Sequence, residues 1–299
     1  MPRILVTGAT GFVGRRLVDA LAQAGHDDLR AMTRNPDTYA GKGEAVAGDV
    51  SDPASLQEAL DGVEIAYYLV HSLDDADFER LDAEAARNFA AAAAGAGVRQ
   101  IIYLGGLGDD DGTLSAHLRS RREVESLLGE NGVPVTALRA AIVVGNGGIS
   151  WEITRQLVKR LPAMVVPKWA TTRTQPIALD DVVRYLVGVA DNPAAFGRVF
   201  EIGGPDRLTY IEMLRIAAQI ENGHMVRIVP VPVLTPRLSS YWLALVTDVD
   251  VTTGRNLIDS MGTEVVVTDD SIKEVVPGES MSYEESVQIA LAERARETG

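Results

Sequence analysis

The chain has 299 residues, of which 46% are hydrophobic and 23% are charged, as is ordinary for a soluble globular protein. It contains no cysteine, which excludes disulfides, thiolate metal sites and cysteine nucleophiles. The net charge of −14 argues against nucleic acid as a partner, because most of the surface would repel backbone phosphates. No two of the four histidines have a metal-ligand spacing, so no metal site is predicted.

The start of the chain indicates where the protein resides. The first predicted strand begins almost at Met1, which leaves no room for a signal peptide. No apolar run reaches the length of a membrane span, and the nearest one, 230–247, is interrupted by Pro232, Pro236 and Arg237. The sequence therefore predicts a cytoplasmic protein without a transmembrane segment.

A glycine-rich stretch follows the first strand. The apolar run 4–6 ends shortly before Gly8, glycines recur at Gly11 and Gly14, and a helical pattern begins at once. A strand that turns tightly into a helix presents bare backbone N–H groups and the positive end of the helix dipole, which together favour a pyrophosphate. An ordinary glycine-rich turn in another α/β protein is the alternative, but the strand before and the helix after favour dinucleotide binding.

Strands and helices alternate through the first half of the chain. Strands are predicted over 28–33, 44–50, 63–70 and 99–104, and helices over 53–60 and 77–95. This alternation predicts an α/β fold with a doubly wound parallel sheet. Ligands of such sheets bind at the carboxyl ends of the strands, where the glycine loop, Arg34, Asp49, His71 and Gly105 all fall.

The end of the second strand indicates which dinucleotide is bound. An NAD site needs a carboxylate there for the ribose 2′-hydroxyl, whereas a 2′-phosphate needs a cation. Thr33 and Arg34 supply one guanidinium and no carboxylate, so NADP(H) is favoured over NAD(H). A solvated loop arginine is the alternative.

The second half continues with strands and helices. The segment 132–145 holds a sixth strand, a helix begins near Ser150, and strands follow over 163–167 and 198–202. Helices are predicted over 180–190, from Thr209 to about 222, and over 282–296, the last with a Ser-x-x-Glu capping box. Asp180 and Asp181 suit a helix N-terminus, so capping is favoured over catalysis for both. The apolar segment 234–246 is more typical of a core or a homodimer contact than of a ligand groove.

Several motifs together resemble one superfamily. They are Thr7-Gly8-x-x-Gly11-x-x-Gly14, Gly48-Asp49-Val50, Val70-His71-Ser72, His117 to Arg121, Leu138 to Gly145, Thr174 to Val182 and the proline-rich stretch 230–234. The chain resembles the short-chain dehydrogenase/reductase superfamily, and more narrowly its atypical and extended branch, the NmrA-like NAD(P)-binding proteins. The resemblance extends over essentially the whole chain.

The resemblance implies a domain division and a cofactor site. It implies a Rossmann domain over 1–150 with parts of 173–205, and a smaller substrate lobe over 151–172 and 206–299. It places Asp49 and Val50 beside the adenine and His71 near the nicotinamide half. The predicted cofactor-binding residues are Gly8, Thr10, Gly11, Phe12, Val13, Gly14, Arg34, Asp49, Val50, Leu69, His71 and Gly105.

The catalytic set departs from the superfamily pattern. Active members usually place a Ser or Thr after strand five and a Tyr-x-x-x-Lys pair on the next helix, whereas this strand ends in glycines and no tyrosine lies between Tyr103 and Tyr185. His117 and Arg121 stand at i and i+4, so they share one helix face. His117 could handle a proton and Arg121 could fix a ribose or phosphate. An exposed charged helix face is the equally weighted alternative.

Two functions remain open from the sequence. The favoured one is an NADP(H)-dependent oxidoreductase acting on a small, rather apolar carbonyl or enone, with a substrate pocket around Trp151, Trp169, Arg173 and Gln175. The other is a non-catalytic NAD(P)H-binding redox sensor or accessory subunit, which the missing serine and tyrosine favour.

Overall fold

A computed structural model describes residues 1–108, 114–231, 246–248 and 251–298. The apolar segment 234–246 lies outside these ranges except for Val246, so its role as a homodimer contact stays a prediction. Among the helices in the described ranges, none combines the length and the apolar character that a membrane span requires.

A seven-stranded parallel sheet forms the centre of the molecule. Its strands are β1 (Ile4–Val6), β2 (Leu29–Thr33), β3 (Glu44–Ala47), β4 (Ile65–Tyr68), β5 (Gln100–Gly106), β6 (Val135–Ala140) and β11 (Val199–Ile202). Their order across the sheet is β11-β6-β5-β4-β1-β2-β3, and every neighbouring pair is parallel. The chain reverses direction across the sheet between β1 and β4, which opens a crevice at their carboxyl ends. The predicted doubly wound sheet is confirmed.

Ten helices accompany the strands in the described ranges. They are α1 (Phe12–Gln23), α2 (Pro53–Leu60), α3 (Phe78–Gly95), α4 (Ala116–Leu128), α5 (Ile149–Arg160), α6 (Leu179–Val189), α7 (Tyr210–Asn222), α8 (Val251–Ser260), α9 (Ile272–Val275) and α10 (Tyr283–Thr298). α1 and α6 pack on one face of the sheet, and α2, α3 and α4 pack on the other. Both faces are covered, which explains why the strands are almost wholly apolar.

The helices on the sheet follow helical periodicity. α1 buries Gly14, Leu17, Val18 and Leu21, whose three- and four-residue spacing makes one apolar stripe. The alanine-rich α3 buries small side chains between two phenylalanines, so it approaches α4 and the sheet closely. These buried faces fix α1 and α3 against the sheet, so the glycine loop and the crevice are rigidly supported.

Six short strands lie outside the central sheet. They are β7 (Val143–Val144), β8 (Ala163–Pro167), β9 (Arg173–Thr174), β10 (Ile177–Ala178), β12 (Leu208–Thr209) and β13 (Arg227–Val231), paired as β7 with β10, β9 with β12, and β8 with β13. A separate apolar core lies among α5, α7, α10, β8 and β13. Ile272 and Val276, from the predicted substrate lobe, pack instead into the core of the central sheet.

Two of the three predicted caps are present. The Thr209 and Glu212 side chains form a reciprocal capping box at α7, and Ser282 and Glu285 do the same at α10. The prediction that Asp180 and Asp181 cap α6 was wrong: the N-cap is Ala178, and no side chain caps it among the described residues. Both aspartates lie in the first turn, where they suit the dipole.

Candidate functional site

The glycine loop has the geometry of a phosphate cradle. Gly8 has a φ of +63°, which favours glycine. A Cβ on Gly14 would overlap the Gly8 carbonyl oxygen, so α1 can only approach the loop this closely with glycine there. A Cβ on Gly11 would lie 3.1 Å from the same oxygen. Gly8 therefore allows a left-handed turn, Gly14 allows α1 to approach the loop closely, and Gly11 leaves the backbone surface open.

The first turn of α1 is available to an anion. No described side chain caps the helix at its N-cap residue, Gly11, so the first N–H groups have no side-chain acceptor. The side chains of Phe12 and Val13 are half-buried and pack against the core of the sheet, and the Phe12 ring also lies against Gly145 and Gly148. Thr7 accepts a 3.0 Å hydrogen bond from the Leu69 N–H, which joins β1 to the end of β4 beside the loop.

A cleft of about 560 Å³ lies at the carboxyl ends of β1, β2, β3 and β4. Six of the predicted cofactor-binding residues line it: Gly8, Thr10, Arg34, Asp49, Val50 and His71. Gly105 lies nearby against the Tyr103 ring, but outside the lining of this cleft. The sequence therefore identified one continuous groove that runs from the end of β3 to the end of β4.

The end of the cleft at β2 and β3 carries an exposed cation. The Arg34 side chain is exposed, and no hydrogen bond or ion pair joins its guanidinium to another described residue. Hydrogen bonds from Ser51, followed by the charge of Arg34, lower the pKa of Asp49. The Asp49 carboxylate accepts from the Ser51 N–H at 2.8 Å and from its hydroxyl at 2.7 Å. Asp49 thus shapes the loop, while the Arg34 guanidinium is available to a ligand.

At the other end of the cleft, His71 from the end of β4 meets His117 and Arg121 from α4. Burial lowers the pKa of both histidines, the positive charge of Arg121 lowers both further, and His71 adds to the shift at His117. Desolvation is the largest cause for His117 and lowers its pKa to about 3. His117 is therefore neutral near pH 7, which corrects the expectation of a residue poised between its acid and base forms.

The Arg121 guanidinium makes no hydrogen bond or ion pair with another described residue. Its backbone carbonyl accepts a 3.2 Å bond from the Tyr103 hydroxyl. The side chain lies against the end of β5, since a Cβ on Gly106 would be 3.7 Å from its Cγ and 2.8 Å from Leu118 Cδ2. Active members of the resembled superfamily carry a Ser or Thr hydroxyl at the end of strand five, where this chain has Gly105 and Gly106. Leu118 and Arg121 occupy the space beside these glycines.

Asp82, which is 5% exposed, also belongs to this end of the site and was not predicted from the sequence. It accepts a 2.8 Å hydrogen bond from the Ser72 N–H, next to His71. Burial raises its pKa, while the charge of Arg121 opposes that shift. Asp82 lies on the apolar stripe of α3, four residues after Phe78 and seven before Phe89, and that position was the signal in the sequence.

The predicted substrate-pocket residues do not meet in one open cleft of the described chain. Trp151 is 1% exposed in the core of the second lobe, and Trp169 packs edge-on against Tyr210 at 5.8 Å. The Gln175 amide donates to Gly204 O at 2.7 Å and accepts from Val267 N at 3.0 Å. Arg173 is exposed. Packing contacts hold Trp151 and hydrogen bonds hold Gln175, and their role in a substrate pocket stays a prediction.

Comparison with known proteins agrees with this geometry. Residues 8–193 match a sequence family described as NAD(P)H-binding. The chain is 32% identical over 218 residues, 69% of each chain, to a (4-alkanoyl-5-oxo-2,5-dihydrofuran-3-yl)methyl phosphate reductase of Streptomyces griseus. It is 29% identical over 223 residues to a ceramide reductase of Caulobacter vibrioides, covering 73% of this chain and 70% of that protein.

A solved structure shares the fold over nearly the whole chain. The triphenylmethane reductase of Citrobacter sp., complexed with NADP(H), superposes with a TM-score of 0.78 at 19% identity and covers 96% of this chain and 99% of its own. The glycine loop, the strand order and the family match agree with one another. The chain belongs to the NAD(P)H-binding family of NmrA-like, atypical short-chain dehydrogenases/reductases.

Proposed function

We propose that the protein is an NADPH-dependent reductase of a small, rather apolar carbonyl or enone. The observation that carries this proposal is that His71 lines one end of a cleft whose other end bears Arg34, and that His117 and Arg121 of α4 lie close enough to His71 to interact electrostatically. A dinucleotide whose pyrophosphate lies on the glycine loop extends toward both ends. Arg34 supports the preference for NADPH, because its exposed guanidinium suits a 2′-phosphate and Thr33 and Arg34, at the end of β2, supply no carboxylate.

The relatives support the substrate class. The Streptomyces protein is named as a reductase of an oxo-dihydrofuran, which is a conjugated cyclic carbonyl compound, and the Caulobacter protein is named as a ceramide reductase. Both names describe reduction of an organic molecule, and the Streptomyces name includes an alkanoyl chain and a phosphate group. The proposal extends that chemistry to this chain without naming its particular substrate.

The residues of this chain would then divide the work. The reduced nicotinamide supplies a hydride when bound. Arg121 is a permanent cation, so it would stabilise the ribose or the negative charge that develops on the substrate oxygen. Hydride transfer leaves an alkoxide or enolate, whose balancing proton would come from solvent water. Neutral His117 would then accept a hydrogen bond from the hydroxyl group of the product. Asp82 holds the Ser72 backbone, and with it the loop that carries His71.

A second function is favoured by one observation. The superfamily hydroxyl after strand five is missing, and Leu118 occupies the space beside Gly106, where a side chain would clash. A protein that binds NAD(P)H without turnover, as a redox sensor or accessory subunit, needs no such hydroxyl. In that case the reduced and oxidised cofactors would differ in how they order the second lobe around Trp169.

A substrate panel tests the proposal. Purified protein is incubated with NADPH and a series of ketones, aldehydes and cyclic enones, and loss of reduced nicotinamide absorbance is followed. We expect turnover of at least one carbonyl or enone, reduced by up to about 10-fold in His117→Ala, since one neutral hydrogen bond contributes about 0.5 to 1.5 kcal/mol. The matched control is His224→Ala, since His224 is exposed and hydrogen-bonded to the Asn222 carbonyl in the second lobe. Equal activity of both variants would exclude His117 from the reaction.

A further inference from the structure

A chain of hydrogen bonds links α8 in the second lobe to both histidines of the cleft. The Asn256 amide donates to the Leu73 carbonyl at 3.2 Å, two residues after His71. One turn later, Ser260 Oγ lies 2.9 Å from the Asn256 carbonyl oxygen, 3.1 Å from Ser115 Oγ and 3.3 Å from His117 Nδ1. Ser260 is therefore the junction between α8 and the helix that carries His117.

The proton positions in this junction follow from valence. A carbonyl oxygen only accepts, so the single hydroxyl proton of Ser260 must point at Asn256 O. Ser260 Oγ is then an acceptor toward its other two neighbours. Ser115 Oγ accepts from the Leu118 N–H at 3.3 Å and has its own proton free to donate. His117 must accordingly donate from Nδ1, which places the ring lone pair on Nε2.

The other histidine has the opposite arrangement. His71 Nδ1 accepts from the Leu73 N–H at 3.4 Å, so its neutral ring carries the proton on Nε2. The Arg121 cation acts on both rings, and this disfavours a second proton on either of them. His71 thus presents a hydrogen-bond donor at Nε2, whereas His117 presents an acceptor at Nε2.

We propose that Ser260 is a positioning residue that holds His117 in the neutral Nδ1–H tautomer and so makes Nε2 the hydrogen-bond acceptor that the site presents to a hydroxyl group. This deepens the proposed reductase function and rests on it for the identity of the ligand: the hydroxyl belongs to the alcohol product or to a hydroxylated substrate. The tautomer itself needs no ligand, so it can be tested whether or not the protein turns over.

Long-range ¹H–¹⁵N NMR of the uniformly ¹⁵N-labelled protein at neutral pH reports the tautomer of each imidazole. His117→Gln assigns the His117 signals. We expect the protonated nitrogen of His117 to be Nδ1 in the wild type. In Ser260→Ala, we expect the proton to move to Nε2, the form that an unconstrained neutral imidazole prefers in water, and Ser260→Thr should restore Nδ1–H because it returns the hydroxyl.

The matched control is Ser126→Ala, an exposed serine on α4 that leaves the junction intact. A wild-type His117 protonated at Nε2 or at both nitrogens would overturn the proposal, and this holds even if Ser260→Ala failed to fold. Retention of Nδ1–H in a folded Ser260→Ala would overturn it as well. Failure of the substrate panel with the expected spectra would instead count against the reductase function alone.

Discussion

The Arg34 contact with a cofactor 2′-phosphate gives a quantitative prediction. Replacement by alanine removes a guanidinium that makes no hydrogen bond or ion pair with another described residue, so the fold loses no ion pair there. A charge-assisted hydrogen bond contributes about 1.5 to 3 kcal/mol. Since Arg34 is exposed, the lower part of that range applies at physiological salt. Arg34→Ala should therefore weaken NADPH binding by about 10-fold and NADH binding hardly at all.

Calorimetric titration of both cofactors into wild type and variant measures these changes. Arg215→Ala is the matched control, since Arg215 is an exposed arginine on α7 and its removal changes the net charge equally. The difference between NADPH and NADH should also shrink in about 1 M salt, where charges are screened over about 3 Å. Equal losses for both cofactors, or an equal loss in Arg215→Ala, would refute the assignment of Arg34 to the phosphate.

Three further predictions follow from the glycine loop and the cleft. Gly14→Ala should lower the melting temperature markedly, because the new Cβ overlaps the Gly8 carbonyl; unchanged melting would contradict the packing argument. Gly11→Val should melt slightly below the wild type, because its Cβ would lie 3.1 Å from the Gly8 carbonyl oxygen, and should lose NADPH affinity in calorimetry; retained affinity would exclude this loop as the pyrophosphate site. Folding lowers the pKa of His117 from 6.5 to about 3. Between these two pH values the folded state therefore binds fewer protons than the unfolded chain. Stability should therefore fall as pH drops below about 6.5, and less steeply in His117→Gln, as urea unfolding at pH 7 and pH 5 would show.

Most of the fold could be predicted because its determinants are local. Helix α2 and strand β8 begin and end where the sequence pattern placed them, and the capping boxes at Thr209 and Ser282 mark real helix starts. The glycine spacing predicted the loop between β1 and α1, because turn geometry and close packing restrict those positions to glycine. The cap of α6 was wrong because two first-turn carboxylates look alike in sequence whether or not they reach the N-cap.

The candidate site was only partly predictable because its support comes from distant parts of the chain. Ser260 lies 143 residues from His117, and no local pattern indicates that contact. The low His117 pKa likewise depends on burial and on His71. The burial of Trp151 could not be predicted, because an aromatic residue on a helix face looks the same toward a core as toward a cleft. Asp82, by contrast, could have been found from its position on the α3 stripe.

Transfer of deuterium from NADPH to an organic product would show directly that the protein is a reductase. NADPH carrying deuterium at the reactive hydrogen of nicotinamide C4 is incubated with the protein and the carbonyl and enone panel, and products are analysed by mass spectrometry. We expect the wild type to form a reduced product that contains one deuterium, taken from one face of the nicotinamide. The yield of this product should fall strongly in Arg121→Ala. Tight NADPH binding without deuterium in any product, together with a tryptophan fluorescence response to only one redox form, would contradict the reductase and favour the sensor.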